Sequence, residues 1–387
     1  MRYAVVTETW PPEINGVALT VQALAHGLLA RGHAVEVVRP RQPGDRHDPA
    51  GERSDGALAT LLMRGAALPR YPGLRFGLPA MRALGRHWRQ ARPDAVYVAT
   101  EGPLGWSAAR AAARLGIPVA TGLHTRFDRY MRDYGMPWLE GTALAWMRRF
   151  HNRADATLVP TLELGRFLQA HGFERVVRLA RAVDTAQLCP ERRDDALRAT
   201  WGAGPDTPIA IHVGRIAPEK NLALAVRAFR AIGRQRPDAR FVWVGDGPAR
   251  DALARENPDF IFCGVQRGAE LARHFASGDL FLFPSLSETF GNVTLESMAS
   301  GLATVAFDTG AAREHLQHQV HGALVADESG FIDEAVRLAG DHDRLRAMGR
   351  AARAAVLKLR PEQVAAEFDA LLAGLARQGD HDAALAA

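Results

Sequence analysis

Two glutamates, Glu288 and Glu296, bracket a Phe290-Gly291-Asn292 turn inside the stretch PSLSETFGNVTLESMASG, residues 284–301. The apolar run Leu280 to Phe283 before it predicts a buried strand. Val293, Leu295, Met298 and Ala299 predict a helix beginning at about Asn292, a good N-cap. Glu288 then lies on the loop and Glu296 within the helix. The first N–H groups of such a helix have no intrahelical acceptor, and with the helix dipole they favour an anion such as phosphate. A carboxylate one turn into the helix is badly placed for phosphate but suited to accept hydrogen bonds from hydroxyls. The pair fits a sugar–diphosphate, each glutamate taking hydroxyls at a different end. Two solvated surface charges are the competing reading.

Two successive α/β halves are expected to position these groups. Arg2 to Thr7 reads as a strand, Val17 to Leu29 as a helix and Ala34 to Val38 as the next strand, a βαβ opening. Its first loop, Glu13-Ile14-Asn15-Gly16, lacks the glycine spacing of a dinucleotide-binding turn, so nicotinamide or flavin chemistry has no support. Gly16 permits close approach of an anion, or is ordinary turn chemistry. Strand Pro118 to Leu123 delivers His124 at its C-terminal end, where doubly wound sheets bind ligands, although a lone histidine is most often structural. Residues 41–56 read as an exposed loop and Pro190 to Pro205 as a linker. The second half opens with strand Ile209 to Val213, the loop GRIAPEKN and a helix whose inward face holds Leu222, Ala225, Val226 and Phe229. Arg215 and Lys220 flank that loop, and Lys220 is one of only two lysines in the chain. Strand Phe260 to Cys263 leads into Gly264-Val265, and helices run to about Gln378 before a frayed tail.

The central stretch resembles the Glu-x7-Glu signature of retaining glycosyltransferases of family 4. Pro284-Ser285, Glu288, Phe290-Gly291, Glu296, Met298-Ala299 and Gly301 fall in place together, with Ala303 standing where the family usually has proline. The resemblance extends over almost the whole chain through HTRFDRY, Arg181-Ala182-Val183-Asp184 (glycine is usual at 182) and GRIAPEKN. It implies the α/β GT-B fold, two Rossmann-like doubly wound domains facing across a cleft. The implied division is an acceptor-binding domain over 1–185, a donor-binding domain over 186–365 and a last helix and tail, 366–387, returning to the first domain. The implied catalytic residues are His124, facing the donor sugar, and Glu288. The implied donor-binding residues are Gly16, Arg215, Lys220, Val265, Phe290, Gly291, Asn292 and Glu296, the last on the ribose. TETWPPEINGV, HTRFDRY and FHNRADATLVP look closest to the mannosyltransferase and glycolipid-forming branch. That suggests GDP-mannose or a UDP-hexose as donor and a lipid-linked or glycan acceptor. A nucleotide-sugar epimerase of the same fold, transfer to a soluble acceptor and a non-catalytic exported sugar-binding protein are the alternatives.

Composition limits the rest. A chain of 387 residues is too long for one ordinary core, and 47% hydrophobic with 24% charged residues is a globular balance. Cys189 and Cys263 have neither zinc nor redox spacing, which suits a reducing cytoplasm. There is no signal-like N-terminus and no run of about 18–20 apolar residues. The expected location is cytoplasmic, at most peripheral on the inner face of the cytoplasmic membrane. Charge is polarised: residues 1–185 hold 25 arginines, no lysine and 16 acids, and the remainder holds 23 basic residues against 27 acids. Between Arg53 and Arg92, eight arginines and the single acid Asp55 interleave with Leu61, Leu62, Met63, Tyr71, Leu74, Phe76, Leu84 and Trp88. Such a stretch suits an anionic membrane surface or, more plainly, a solvated face over core residues. No nucleic-acid motif accompanies the charge. Asp341-His342-Asp343 and Asp380-His381-Asp382 have metal-pair spacing but lie in helical and tail surroundings, so no metal and no other cofactor is expected, the nucleotide sugar being a co-substrate.

Overall fold

The computed structural model describes residues 1–13, 15–43, 45, 52–54, 58–67, 75–124, 137–286, 288 and 290–385, with backbone only at 52–54, 137 and 380–385. The chain divides into two compact units, Met1–Arg181 with the chain from Pro361 onward, and Ala182–Arg360. Each is a Rossmann-like α/β unit.

In the first unit the strands are β1 (Arg2–Val6), β2 (Ala34–Pro40), β3 (Glu52–Ser54), β4 (Ala59–Met63), β7 (Ala95–Val98), β8 (Val119–Gly122), β9 (Ala156–Val159) and β10 (Val176–Arg178), with a separate hairpin of β5 (Gly65–Ala67) and β6 (Arg75–Gly77). They lie in the order β10-β9-β8-β7-β1-β2-β4-β3, and every pairing is parallel except β3 with β4. Tyr3 to Val6 and all of β7, β8 and β9 are buried, because helices cover both faces of a parallel sheet. β1 pairs with β2 on one side and β7 on the other, so the winding reverses there, and the loops leaving β1 and β7 open at the reversal. The last helix, Pro361–Leu385, lies in this unit against the helix Gly16–Ala30. A Cβ on Gly27 would come 2.4 Å from that of Ala365, so glycine is what permits the close crossing. Asp369 anchors the helix by accepting from Tyr3, Arg31 and His33, and these donors hold its carboxyl below the ordinary range against the cost of burial.

The second unit orders β11 (Ile209–Val213), β12 (Arg240–Val244), β13 (Ile261–Phe262), β14 (Leu280–Phe283), β15 (Ala303–Phe307) and β16 (Gly322–Val325) as β13-β12-β11-β14-β15-β16, all parallel. Alternation along each strand fills two cores: Leu280 and Leu282 face one, Phe281 and Phe283 the other. The winding reverses between β11 and β14.

Two expectations change, and over 53–92 the reading of core residues under a solvated face is met where the chain is described. Pro190 to Pro205 is no linker: it carries the helix Asp195–Thr200, with Leu197, Arg198 and Trp201 buried. Arg198 donates to Asp279 and to the carbonyls of Ser277, Gly204 and Thr207, which ties the segment to the sheet. Within 53–92, Leu61, Leu62, Met63, Leu84 and Trp88 are core residues, while Tyr71 and Leu74 lie outside the described residues. The exposed-loop reading of 41–56 fails at Gln42, which is buried and donates to the Trp10 carbonyl, and at strand β3.

Candidate functional site

The two loops that leave the reversal point of the second sheet carry the donor-site candidates. After β11 the chain runs through Gly214-Arg215 into a short 3-10 turn, Pro218–Lys220, and a left-handed Asn221 before the helix Leu222–Gln235. This loop is held from below: the N–H of Gly214 donates to Val244 and that of Ile216 to Asp246, at 3.0 and 2.9 Å. A Cβ on Gly245 would sit 1.9 Å from the Gly214 carbonyl oxygen, and one on Gly247 2.4 Å from that of Ile216. The close approach of the two loops therefore requires both glycines. After β14 comes Pro284 to Gly291. The Lys220 ammonium of one loop donates to the Glu288 carboxylate of the other, both side chains being mostly covered. Arg215 pairs with Glu219 instead.

The helix Asn292–Ala299 begins differently from the sequence expectation. Its N-cap is Gly291 at φ +88°, with no side chain capping it, and Asn292 is the first helical residue. A left-handed turn is needed here, and a Cβ would lie 3.3 Å from the Phe283 ring, so glycine displaces the better capping residue. The buried Phe290 is fixed through its carbonyl, which accepts the Ala311 N–H at 2.6 Å. With no side chain acting as cap, the first N–H groups of this helix keep their capacity for an anion. One turn in, the Glu296 carboxyl has no hydrogen bond or ion pair among the described residues, and burial pushes it up to about 7. Beneath the pair lies His212, fully buried against Trp243, with Nδ1 donating to the Leu282 carbonyl at 3.2 Å. Burial holds its ring neutral, at about 4.

In the first unit, His124 leaves the end of β8 with both ring nitrogens occupied. Arg181 Nη2 donates to Nδ1 at 2.5 Å, so the ring proton resides on Nε2 and is donated to the Tyr97 hydroxyl at 2.8 Å. Burial, then Arg181, then His151 hold the pKa well below the usual histidine value. In the ligand-free unit both ring nitrogens of His124 are thus engaged by neighbouring side chains. Beside it, buried His151 bridges Thr121 Oγ1 at 2.8 Å and Glu101 Oε1 at 3.1 Å. Glu8, on the loop after β1, accepts the N–H groups of Gly77 and Leu104, and burial pushes its carboxyl up to about 7. Gly16 opens its helix, but the Asn15 side chain already takes the Ala18 N–H at 2.8 Å. That end is partly capped, whereas the one at Asn292 is open.

Residues 14–187 match the family model described as Glycosyltransferase Family 4, and residues 207–341 that described as Glycosyl transferases group 1. A GDP-mannose-dependent alpha-mannosyltransferase of Mycolicibacterium smegmatis is 37% identical over 86% of this chain and 86% of its own length. The chain belongs to the family 4, group 1 glycosyltransferases. An alpha-monoglucosyldiacylglycerol synthase of Acholeplasma laidlawii is 26% identical over 79% of this chain and 80% of its own. Among solved structures, a sucrose-phosphate synthase of Thermosynechococcus elongatus superposes with a TM-score of 0.78 at 18% identity, covering 97% of this chain and 98% of that one. The fold is GT-B and the enzyme is a hexosyltransferase.

For this glycosyltransferase the structure brings Lys220, Glu288, Phe290, Gly291 and Asn292 together around one reversal point, with Glu296 a turn into the helix. Val265 lies on the loop after β13, 48% exposed, next to Gly264, whose carbonyl accepts the Gly245 N–H at 2.8 Å. His124 and Gly16 belong to the first unit, and residues 125–136, which include Arg126, Arg129 and Arg132, lie outside the described residues. Sequence reasoning missed Tyr97, Glu8, Glu101 and His151. A tyrosine inside the aliphatic strand Ala95–Val98 was the one available signal for a buried polar partner.

Proposed function

We propose that the enzyme moves a hexose, with GDP-mannose the first candidate and a UDP-hexose the second, to an acceptor held at an anionic membrane surface, with retention of anomeric configuration and without a metal ion. The observation that carries this reading is the Lys220–Glu288 pair beside an open helix N-terminus at the sheet's reversal point. In the proposed reaction the bond from the sugar C1 to the diphosphate breaks, its electron pair leaving with the phosphate. The acceptor hydroxyl oxygen bonds to C1 from the same face, and its proton passes to the departing phosphate. Lys220 and the N–H groups at Asn292 answer the developing negative charge, Glu288 orients the sugar and Glu296 accepts nucleoside hydroxyls. The GDP-mannose requirement of the smegmatis relative and the diacylglycerol named for the Acholeplasma enzyme support the choice of donor and acceptor. The test is a thermal-shift panel of nucleotide sugars, followed by transfer assays and NMR of the product anomer. An inverted product, or release of sugar with no acceptor modified, would overturn the reading.

Metal independence rests on Asp341, whose side chain caps the helix His342–Val356 by accepting from Arg344 N–H, and is thus committed elsewhere. Activity is expected to persist in EDTA. Complete loss restored by Mg²⁺ or Mn²⁺ contradicts the proposal.

Among the described residues no helix is long and apolar enough to cross a membrane. Surface attachment would use two features of the first unit. Arg82, Arg86 and Arg89 lie exposed on the helix Met81–Gln90, whose Leu84 and Trp88 point inward. Trp138, 71% exposed, and Leu139 precede the helix Glu140–His151, and Trp146 within it is also exposed, as are Arg149 and Arg153. Each arginine near an anionic surface contributes about 1 kcal/mol, and the tryptophans suit shallow insertion. Co-sedimentation with anionic vesicles is expected to weaken severalfold at high salt, with Arg82, Arg86 and Arg89 changed to Glu, and with Trp138 and Trp146 changed to Ser. Equal binding to zwitterionic vesicles, or by both variants, makes a soluble acceptor the better reading.

A further inference from the structure

Strand β11 is apolar except for its fourth residue, His212. Ile209, Ile211 and Val213 face one core of the second unit and Ala210 the other. His212 follows Ala210 on that second face, fully buried beside Trp243, its register partner on β12. The pairing of β11 with β14 runs only from Ala210 with Leu280 to Ile211 with Phe281, and at the next step a side chain takes over: His212 Nδ1 donates to the Leu282 carbonyl at 3.2 Å. That bond fixes the tautomer. With the ring proton on Nδ1, Nε2 presents a lone pair and can only accept.

Nε2 is buried and has no hydrogen-bond partner among the described residues. A buried acceptor left unpaired costs stability, and a leucine or phenylalanine at this position would continue the core without that cost. The atom lies toward the loops of the site. A Cβ built on Gly214, the first residue after β11, would have His212 Nε2 as its one neighbour within 4 Å, at 4.0 Å. Burial is the main cause of the ring's neutrality, and the Leu282 carbonyl opposes it. The charges of Lys220 and, less strongly, Glu288 also reach the ring.

An ammonium carries three donors, and in the ligand-free unit Lys220 gives one to Glu288. In the transfer proposed above the sugar needs Glu288 and the diphosphate needs Lys220, so that bond has to loosen. A flexible four-carbon side chain released from its anchor loses its aim. A neutral lone pair beneath it supplies a second anchor without competing for its charge, as a carboxylate would.

We infer that His212 is a positioning residue for Lys220: its Nε2 accepts one N–H of the ammonium when Glu288 turns to the sugar, which leaves the other two N–H groups to the diphosphate. The inference rests on the transferase reading above, and every residue it uses belongs to the second unit.

Full-length wild type, His212→Phe, His212→Asn and His212→Gln would be compared by steady-state kinetics, each also in a Lys220→Ala background. The donor is GDP-mannose, or a UDP-hexose where the wild type prefers it. The acceptor is anionic vesicles containing diacylglycerol, or whichever acceptor the transfer assays identify. His212→Phe keeps a ring against Trp243 and loses both nitrogens. His212→Asn keeps a donor for Leu282 and loses the outer acceptor, whereas His212→Gln keeps an acceptor at the outer position and gives up the Leu282 bond. Turnover of His212→Phe and His212→Asn is expected to fall roughly ten- to hundredfold, the scale of a small misplacement of a group at the reacting centre, with the donor KM within a fewfold of wild type. His212→Gln is expected to recover most of that loss. In the Lys220→Ala background none of the three changes should lower turnover by more than about twofold further, because the group they position is gone. The same proportional loss in both backgrounds makes the histidine merely structural and overturns the inference, as does wild-type turnover in His212→Phe and His212→Asn. Recovery by His212→Asn in place of His212→Gln overturns it too, since that assigns the effect to the Leu282 bond. Should His212→Phe fail to fold, the comparison of His212→Asn with His212→Gln decides alone. Wild-type turnover in Lys220→Ala would instead count against the role given to Lys220 in the transferase reading, and the inference would fall with it.

Discussion

Lys220→Ala is expected to lower turnover roughly a hundred- to thousandfold, the scale of removing one preorganised charge partner from a developing negative charge. The structure adds a condition. Lys220 and Glu288 come from different loops of the same reversal point and bond to each other in the ligand-free unit. Removing either leaves the other's charge without its partner, so the two losses should not add. Glu288→Ala should lower turnover more than nucleoside-diphosphate affinity. The double variant should be little worse than the poorer single one, as for groups that act as a unit. Steady-state kinetics and diphosphate titration of the four proteins decide this. Losses that add, or a Lys220→Ala enzyme within a fewfold of wild type, would remove Lys220 from the reaction.

The βαβ pattern was legible because parallel strands buried on both faces are continuous apolar runs, and β11, β14 and the loops after them stand out on that signal. Errors arose where a local preference lost to a tertiary demand. Asn292 is the stronger capping residue, yet the chain needs a left-handed turn one position earlier, against Phe283, and only Gly291 meets it. Charge and proline content made 190–205 look like a linker. The Leu197 and Trp201 spacing already marked one buried helix face, and the buried arginine between them needs Asp279, far along the chain. The leucines among the arginines of 53–92 left two readings open, and Leu84 and Trp88, one turn apart, lie on the inward side as a solvated face over core residues requires. The relay of Tyr97, His124 and Arg181 was out of reach. Its members are 27 and 57 positions from the histidine, and only the sheet order brings them together.

Donor affinity is expected to depend on pH through Glu296. Burial raises its carboxyl to about 7, and no described group donates to it in the free enzyme. Ligand hydroxyls can donate to both oxygens of the ionised form but lose one acceptor when a proton is present. The complex therefore favours ionised Glu296, its pKa falls on binding, and below about pH 7 binding must expel a proton. The sign follows: affinity is full above pH 7 and declines by up to about tenfold per pH unit below it, one pKa unit being about 1.4 kcal/mol. His212, at about 4, stays neutral through this window and adds nothing to the slope. Glu8 titrates in the same range but has its oxygens held by the Gly77 and Leu104 N–H groups. Glu296→Gln separates the two, because it removes the titrating carboxyl and leaves Glu8 intact. Its affinity for the nucleotide sugar, whose doubly esterified diphosphate does not titrate in this range, should be roughly ten- to hundredfold weaker than that of wild type at pH 7.5, the scale of losing hydrogen bonds to a charged acceptor, and nearly flat from pH 7.5 to 5.5. Calorimetry in buffers of different ionisation enthalpy should also show proton release on binding to wild type at pH 6 and none for Glu296→Gln. A wild-type affinity that is flat across this range, or a Glu296→Gln variant that keeps the wild-type slope, would place the nucleoside hydroxyls on some other group.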